Sequence, residues 1–329
     1  MVFRQAAVPF RMHTKELSPY NPRVPGHRLL TDNSGAGEST MAQLTNIVRN
    51  SPEIATFHFE TSRPIHYQPG QYAVLDFSQL NTAGYRHMAP DNPQSLNDDY
   101  IRTWTISSAP DPAPMVDDDL TWKDSSHFTV TIKRKPGGLL STILHTISSA
   151  SQAHLTVPLV CTGGEFILPS GMGKSALVKV AFVSGGIGST PFISMLRGLR
   201  QVTRFPTPLS IHWIISVTQA VEALPSIMKE IFGSSGLGNA SREGLDLTVS
   251  VFLSRESPEE GVPTGLLDLN GCRVFFKRLD IQGLTEVVPD LVERKVLVCG
   301  PDNFMDAVRA MCDKMHVPPE NVLAEAFNF

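Results

Sequence analysis

The chain has 329 residues, of which 41% are hydrophobic, 18% charged and 8% aromatic, with a formal net charge of -4. This length suggests two domains at about 100–200 residues each, and the apolar fraction excludes a wholly disordered chain. The near-neutral balance lacks the electrostatic footprint of a nucleic-acid binder, and the 24 glycines and 25 prolines show no collagen-like period.

Residues 1–40 read as an N-terminal extension. Arg4, Arg11, Lys15, Arg23 and Arg28 stand against the single acid Glu16 over the first 30 residues, a basic start of the kind found in mitochondrial transit peptides. Pro9, Pro19, Pro22 and Pro25 break any amphipathic helix there and favour an extended tail. Residues 31–40 are small and polar and read as flexible coil.

Residues 41–172 form the first unit. Short apolar runs at 44–48, 54–59, 72–77, 101–106, 128–132 and 155–160 alternate with turn residues, which predicts a small antiparallel β-barrel. Two polar inserts interrupt it, at 79–100 and at 109–119, the second ending in Asp117-Asp118-Asp119 and read as a solvated loop. After the hinge Gly171-Met172-Gly173 the pattern changes. Residues 173–329 alternate apolar strands (177–183, 211–217, 245–253, 295–298) with helical stretches at 191–199, 221–232 and 304–312, as an α/β unit with a mostly parallel sheet requires.

The four cysteines, Cys161, Cys272, Cys299 and Cys312, have neither zinc-site nor ferredoxin-cluster spacing, and no metal site is expected. So few thiols suit a reducing compartment, the cytoplasm, better than a disulfide scaffold. No apolar run reaches the ~18–20 residues needed to span a bilayer, so a soluble chain is expected.

Four ordered segments carry chemistry. Arg102-Thr103-Trp104-Thr105-Ile106-Ser107-Ser108 ends a strand. Its Arg102 offers a planar fork for a phosphate, and Trp104 is either a stacking surface for a flat ring or a core residue. Gly137-Gly138-Leu139-Leu140-Ser141 is either a phosphate loop or a plain strand-to-helix turn. Ser184-Gly185-Gly186-Ile187-Gly188-Ser189-Thr190-Pro191 follows a buried strand and opens a helix, the setting a dinucleotide pyrophosphate needs, although its spacing departs from GxGxxG. Cys299-Gly300-Pro301 ends a later strand, with Asp302 placed to cap the next helix. Cys299 either faces a ligand or is a small buried residue.

Together these segments resemble the ferredoxin–NADP reductase superfamily over residues 41–329. Arg102, Trp104, Thr105 and Ser108 match its Arg-x-Tyr-Ser/Thr-x-x-Ser flavin motif, with Trp in place of the usual Tyr. Pro69-Gly70-Gln71-Tyr72 is similar to its barrel strand, Gly138 and Ser141 to its second phosphate loop, and Gly185, Gly186, Gly188, Thr190 to its pyridine-nucleotide loop. Cys299, Gly300, Pro301 and the terminal Glu325-Ala326-Phe327 resemble its nicotinamide-side motifs.

The resemblance implies an FAD-binding barrel domain at 41–172 followed by an NAD(P)-binding α/β domain at 173–329. It implies FAD rather than FMN, its phosphates held by Arg102, Gly138 and Ser141, with Trp104 along the ring and Thr105 near N5. Cys299 and Glu325 would flank the site at which hydride passes from nicotinamide C4 to flavin N5, while Phe327 or Phe329 would cover the flavin. Ser254 and Arg255 resemble the segment that grips a ribose 2′-phosphate, favouring NADPH over NADH. With no ferredoxin cluster and only about 40 residues before the barrel, electrons are expected to leave to a separate acceptor, a redox protein or a small molecule. A non-catalytic flavin- or nucleotide-binding redox-sensing subunit is the alternative. Oligomeric state is left open by the sequence.

Overall fold

The computed structural model describes residues 40–80, 100–116, 119–148, 155–169, 177–205, 207–217, 244–255 and 272–325. The extension up to residue 39, most of the insert at 79–100, Asp117-Asp118, the hinge at 171–173, the helical stretch at 221–232, and Phe327 with Phe329 lie outside the described residues.

In the front half, β1 (Thr40–Arg49), β2 (Ile54–Ile65), β3 (Tyr72–Asp76), β4 (Ile101–Thr105), β7 (Ser125–Lys133) and β8 (Thr156–Gly163) form one sheet in the order β4-β3-β8-β1-β2-β7. Its pairings are antiparallel. A bridge between Ile106 and Val130 and a 2.7 Å bond from Ser107 N–H to the Thr129 carbonyl join the first strand to the last. The sheet thus curls into the barrel that the period-2 pattern requires, around Ala42, Leu44, Phe57, Phe59 and Val130. Helix α1 (Leu139–Thr146) follows β7 and buries Leu140 and Leu144.

The insert at 109–119 carries β5 (Pro112–Val116) and the first residue of β6 (Asp119–Trp122), which pair as a hairpin; Asp117 and Asp118 of its acidic run lie outside the described residues. Pro112 and Pro114 mask the alternation, and a two-stranded ribbon tolerates them because both its strands are edges.

In the back half, β9 (Val178–Gly185), β10 (Leu209–Val217), β11 (Leu245–Leu253), β12 (Cys272–Phe275), β13 (Lys295–Cys299) and β14 (Val322–Glu325) pair in parallel in the order β12-β11-β10-β9-β13-β14. Strand β9 is buried on both faces, which accounts for its continuous apolar run. Val180 and Phe182 pack with helix α2 (Thr190–Gln201) on one side. Ala181 and Val183 pack with α3 (Ile281–Val287) and α4 (Asp302–Lys314) on the other. Pro191 sits in the first turn of α2 as expected. The expected cap of α4 is displaced by one position: Pro301 occupies the cap and Asp302 is the first helical residue, where its charge still favours the helix dipole. No helix among the described residues is long and apolar enough to cross a membrane.

Candidate active site at the junction of the two sheets

The C-terminal edge of the parallel sheet brings three motifs together. Cys299, at the end of β13, pairs with Ser184 of β9 on one side and Glu325 of β14 on the other. The loop after β9 lies directly on the end of β13. A Cβ on Gly188 would fall 2.5 Å from the Cys299 carbonyl oxygen, and one on Gly300 would fall 3.1 Å from Gly185 Cα. Gly188 and Gly300 are therefore glycines of close backbone approach, while a Cβ on Gly185 would meet the Phe304 ring at 2.8 Å. Gly186 differs: its φ is +55° and nothing stands within 4 Å of where a side chain would begin. The loop hydroxyls bind inward, Ser189 Oγ donating to Gly186 O (3.0 Å) and Thr190 Oγ1 to Ile187 O (3.0 Å), so they shape the turn.

The front half supplies the facing wall. Register places Thr105 directly opposite Tyr72, and Tyr72 opposite Gly163. Opposed residues of an antiparallel pair share a face, so Thr105 and Tyr72 stand together. Trp104 stands on the other face, paired with Ala73, and packs edge-on against Phe77 with ring centroids 5.5 Å apart. Tyr72 is the aromatic next to Glu325: a Cβ on Gly164 (φ +111°) would lie 3.0 Å from the Tyr72 ring and 3.6 Å from Glu325 Oε1. In its motif Tyr72 is only part of a barrel strand; its place beside Glu325 comes from strand pairing, which local sequence does not encode.

The junction is largely buried. Burial lifts the Glu325 carboxyl to about 8, so it holds its proton at neutral pH. Its Oε2 is buried with no hydrogen-bond partner among the described residues. Burial, then the proximity of Glu325, pushes the Cys299 thiol well above the usual range. Burial, then Cys161 and Glu325, raises the Tyr72 phenol as well.

The phosphate candidates lie on β4 (Arg102) and at the start of α1 (Gly138, Ser141). The Arg102 Nη1 donates to Ile101 O at 2.9 Å. Ser141 Oγ accepts from Lys135 N–H (3.1 Å), which closes the loop over Gly137 and Gly138 and keeps the hydroxyl proton for another acceptor. Gly137 has φ +74° and, like Gly186, faces open space. Ser108 is committed to structure, accepting from Thr129 N–H at 2.9 Å and pairing with the Tyr67 hydroxyl at 3.1 Å. Ser254 ties β11 to β10 through two bonds to Val217 O, leaving Arg255 exposed at the strand end. The two open glycine cradles and the orphaned Glu325 oxygen fit phosphate-bearing cofactors whose rings meet between the sheets.

No family model matches the chain. It is similar to a flavohemoprotein of Deinococcus radiodurans, 25% identical over 262 residues, which covers 79% of this chain and 51% of that protein. It is also similar to the glycine betaine monooxygenase reductase subunit of Pseudomonas aeruginosa, 24% identical over 282 residues, 85% of this chain and 62% of that one. The chain thus spans about half to three-fifths of these curated relatives. Among solved structures, the flavohem-like FAD/NAD-binding domain of nitric oxide dioxygenase from Vibrio cholerae superposes with a TM-score of 0.56 at 16% identity, covering 88% of this chain and 99% of that one. A barrel of antiparallel strands followed by a six-stranded parallel sheet, with motifs in the expected order, gives this chain the two-domain fold of the ferredoxin–NADP reductase superfamily.

Proposed function

We propose that the chain is a flavin-dependent NAD(P)H oxidoreductase that passes hydride from NAD(P)H to bound FAD and electrons on to a separate acceptor. The division between its two units falls between residues 172 and 173. The observation that supports this most is the junction itself, where Tyr72, paired with Thr105 in one sheet, comes near Glu325, paired with Cys299 in the other. When bound, the two cofactors supply hydride donation, hydride acceptance and release of electrons one at a time.

The residues position and insulate. Arg102, Gly138 and Ser141 hold the FAD phosphates. Gly186, the first residue of the short turn 186–189 that leads into α2, admits the nucleotide pyrophosphate to the backbone there. Thr105 and Tyr72 border the flavin ring, and Glu325, protonated at neutral pH, donates a hydrogen bond into the cleft. Cys299 fills the floor as a neutral thiol, keeping charge and water away from a transfer that needs reacting atoms about 3–3.5 Å apart. Arg255 pairs with a ribose 2′-phosphate, which favours NADPH. A relative named as a reductase subunit supports a separate protein acceptor, a haem or iron–sulfur protein or an oxygenase.

The test is anaerobic addition of NADPH to the FAD-loaded chain. Bleaching of the flavin band near ~450 nm is the expected result. A yellow protein that neither NADPH nor NADH bleaches would replace the oxidoreductase with a redox-sensing subunit.

A further inference from the structure

The two sheets are held together by a polar clamp away from the cleft. Ser194 and Arg197, three residues apart on one face of α2, both reach the segment that continues β4. Ser194 Oγ donates to the Ser108 carbonyl at 2.5 Å and accepts from Gly70 N–H at 3.2 Å. Arg197 Nη1 donates to the Ser107 carbonyl at 2.6 Å. Ser194 is wholly buried and Arg197 partly so. Hydrogen bonds so placed are shielded from competing water, and the charged donor makes the second one strong.

The receiving segment is itself immobilised in the barrel. Ser107 N–H donates to Thr129 O (2.7 Å), and its Oγ accepts from Thr131 Oγ1 (2.9 Å). Ser108 is tied to Thr129 N–H and to Tyr67, whose buried phenol, at about 12, stays neutral. An apolar seam reinforces the clamp: Trp122 from the hairpin and Phe166 from the strand β8 side pack into the core of the back half with Phe192, Met195 and Leu199. Gly198 permits this approach, since a Cβ there would lie 2.7 Å from Trp122 Cη2 and 2.9 Å from Pro69 Cγ.

Helix α2 opens at the Gly186 loop, and β4 carries Arg102 and Thr105. The clamp therefore links the element that starts at one candidate cofactor loop to the strand that lines the other. We infer that Ser194 and Arg197 are positioning residues that set the angle between the two sheets, and through it the separation of the rings brought together at the junction. This rests on the oxidoreductase reading for its kinetic consequence, and on geometry alone for its mechanical one.

The experiment uses FAD-loaded Arg197→Met, Ser194→Ala and Gly198→Ala, the last a steric wedge that removes no hydrogen bond. Under anaerobic single turnover with saturating NADPH, each is expected to reduce its flavin ~10–100-fold more slowly than the parent chain, the cost of a misplacement near 1 Å. Flavin retention and nucleotide dissociation constants stay within ~2-fold, because no residue of either cradle is touched, and Arg197→Lys recovers part of the rate. Calorimetry reads the mechanical half: one unfolding transition in the parent chain, two in the variants. Rates equal to the parent's, or a loss fully explained by weaker cofactor binding, would overturn the inference. If the parent chain is not reduced by NADPH, the oxidoreductase reading fails by itself, and calorimetry decides the clamp: an unsplit transition in all three variants rejects it. Should Ser194→Ala not fold, Gly198→Ala and Arg197→Met carry the test.

Discussion

At the N-terminal end of the parallel sheet, Arg294 is 3% exposed and its guanidinium is surrounded by acceptors: Asp290 at 2.7 and 3.0 Å, Val180 O at 3.2 Å and Ser210 O at 3.1 Å. Lys179 adds to Asp290 at 3.1 Å and to Glu293 at 2.6 Å. At the C-terminal end, five residues further along the chain, Cys299 and Glu325 lie side by side, with Glu325 Oε2 unpaired among the described residues. One end joins every buried charge to a partner and has the character of a staple. The other leaves the buried Glu325 Oε2 without a partner among the described residues, a cost to stability.

The largest expected effect breaks the staple. Arg294→Met leaves Asp290 with Lys179 alone, takes a donor from two backbone carbonyls, and should lower stability by about 3 kcal/mol, read from the urea midpoint. Flavin reduction by the folded variant should be unchanged.

The two ends should also titrate with opposite sign. Although burial opposes it, hydrogen bonds from Arg294 and Lys179 hold Asp290 at about 2, against an ordinary 3.8. A lowered acid contributes stability that is complete above its unfolded value and lost as pH falls through the folded one, here about 1–2 kcal/mol between pH ~4 and ~2. Asp290→Asn should flatten that acid limb. Glu325 is raised to about 8 from 4.5, so the folded chain keeps a proton that the unfolded chain releases, and stability falls as pH rises between those values. Glu325→Gln should remove that slope and leave the chain more stable than its parent at pH 7. A parent chain with no slope between pH 5 and 8 would contradict the buried, proton-bearing carboxyl.

Smaller effects sharpen the assignment of the cradles. Arg102→Ala should weaken FAD retention by ~10–100-fold, measured by fluorescence of released flavin, while nucleotide affinity is untouched. Arg255→Ala should reduce the NADPH-over-NADH ratio of kcat/KM by ~10-fold, the worth of one charge-assisted contact to a phosphate. An unaltered ratio would remove Arg255 from the nucleotide site.

What the sequence revealed follows from how local each signal is. Strand β9 was legible because burial on both faces leaves an unbroken apolar run, and the glycine loop because it sits between that run and Pro191. The barrel strands were legible through alternation. Strand β14 was not, since four residues of mixed character become a strand only by lying beside β13. Hairpin β5–β6 was hidden by its prolines. The motif also drew attention to Trp104, whereas pairing across strands makes Tyr72 the aromatic beside Glu325. The staple and the clamp left no mark in the sequence: Arg294, Ser194 and Arg197 are ordinary polar residues until the fold brings distant carbonyls to them.

The most direct test of the account is a single-turnover comparison of anaerobic flavin reduction by NADPH in Glu325→Leu and Arg294→Met, each at a pH and temperature where it is fully folded. The account predicts that loss of the hydrogen-bond donor at the open end slows reduction by ~10–100-fold while loss of the staple leaves the rate within ~2-fold. Equal rates in Glu325→Leu and the parent chain, or slowing confined to Arg294→Met, would contradict it.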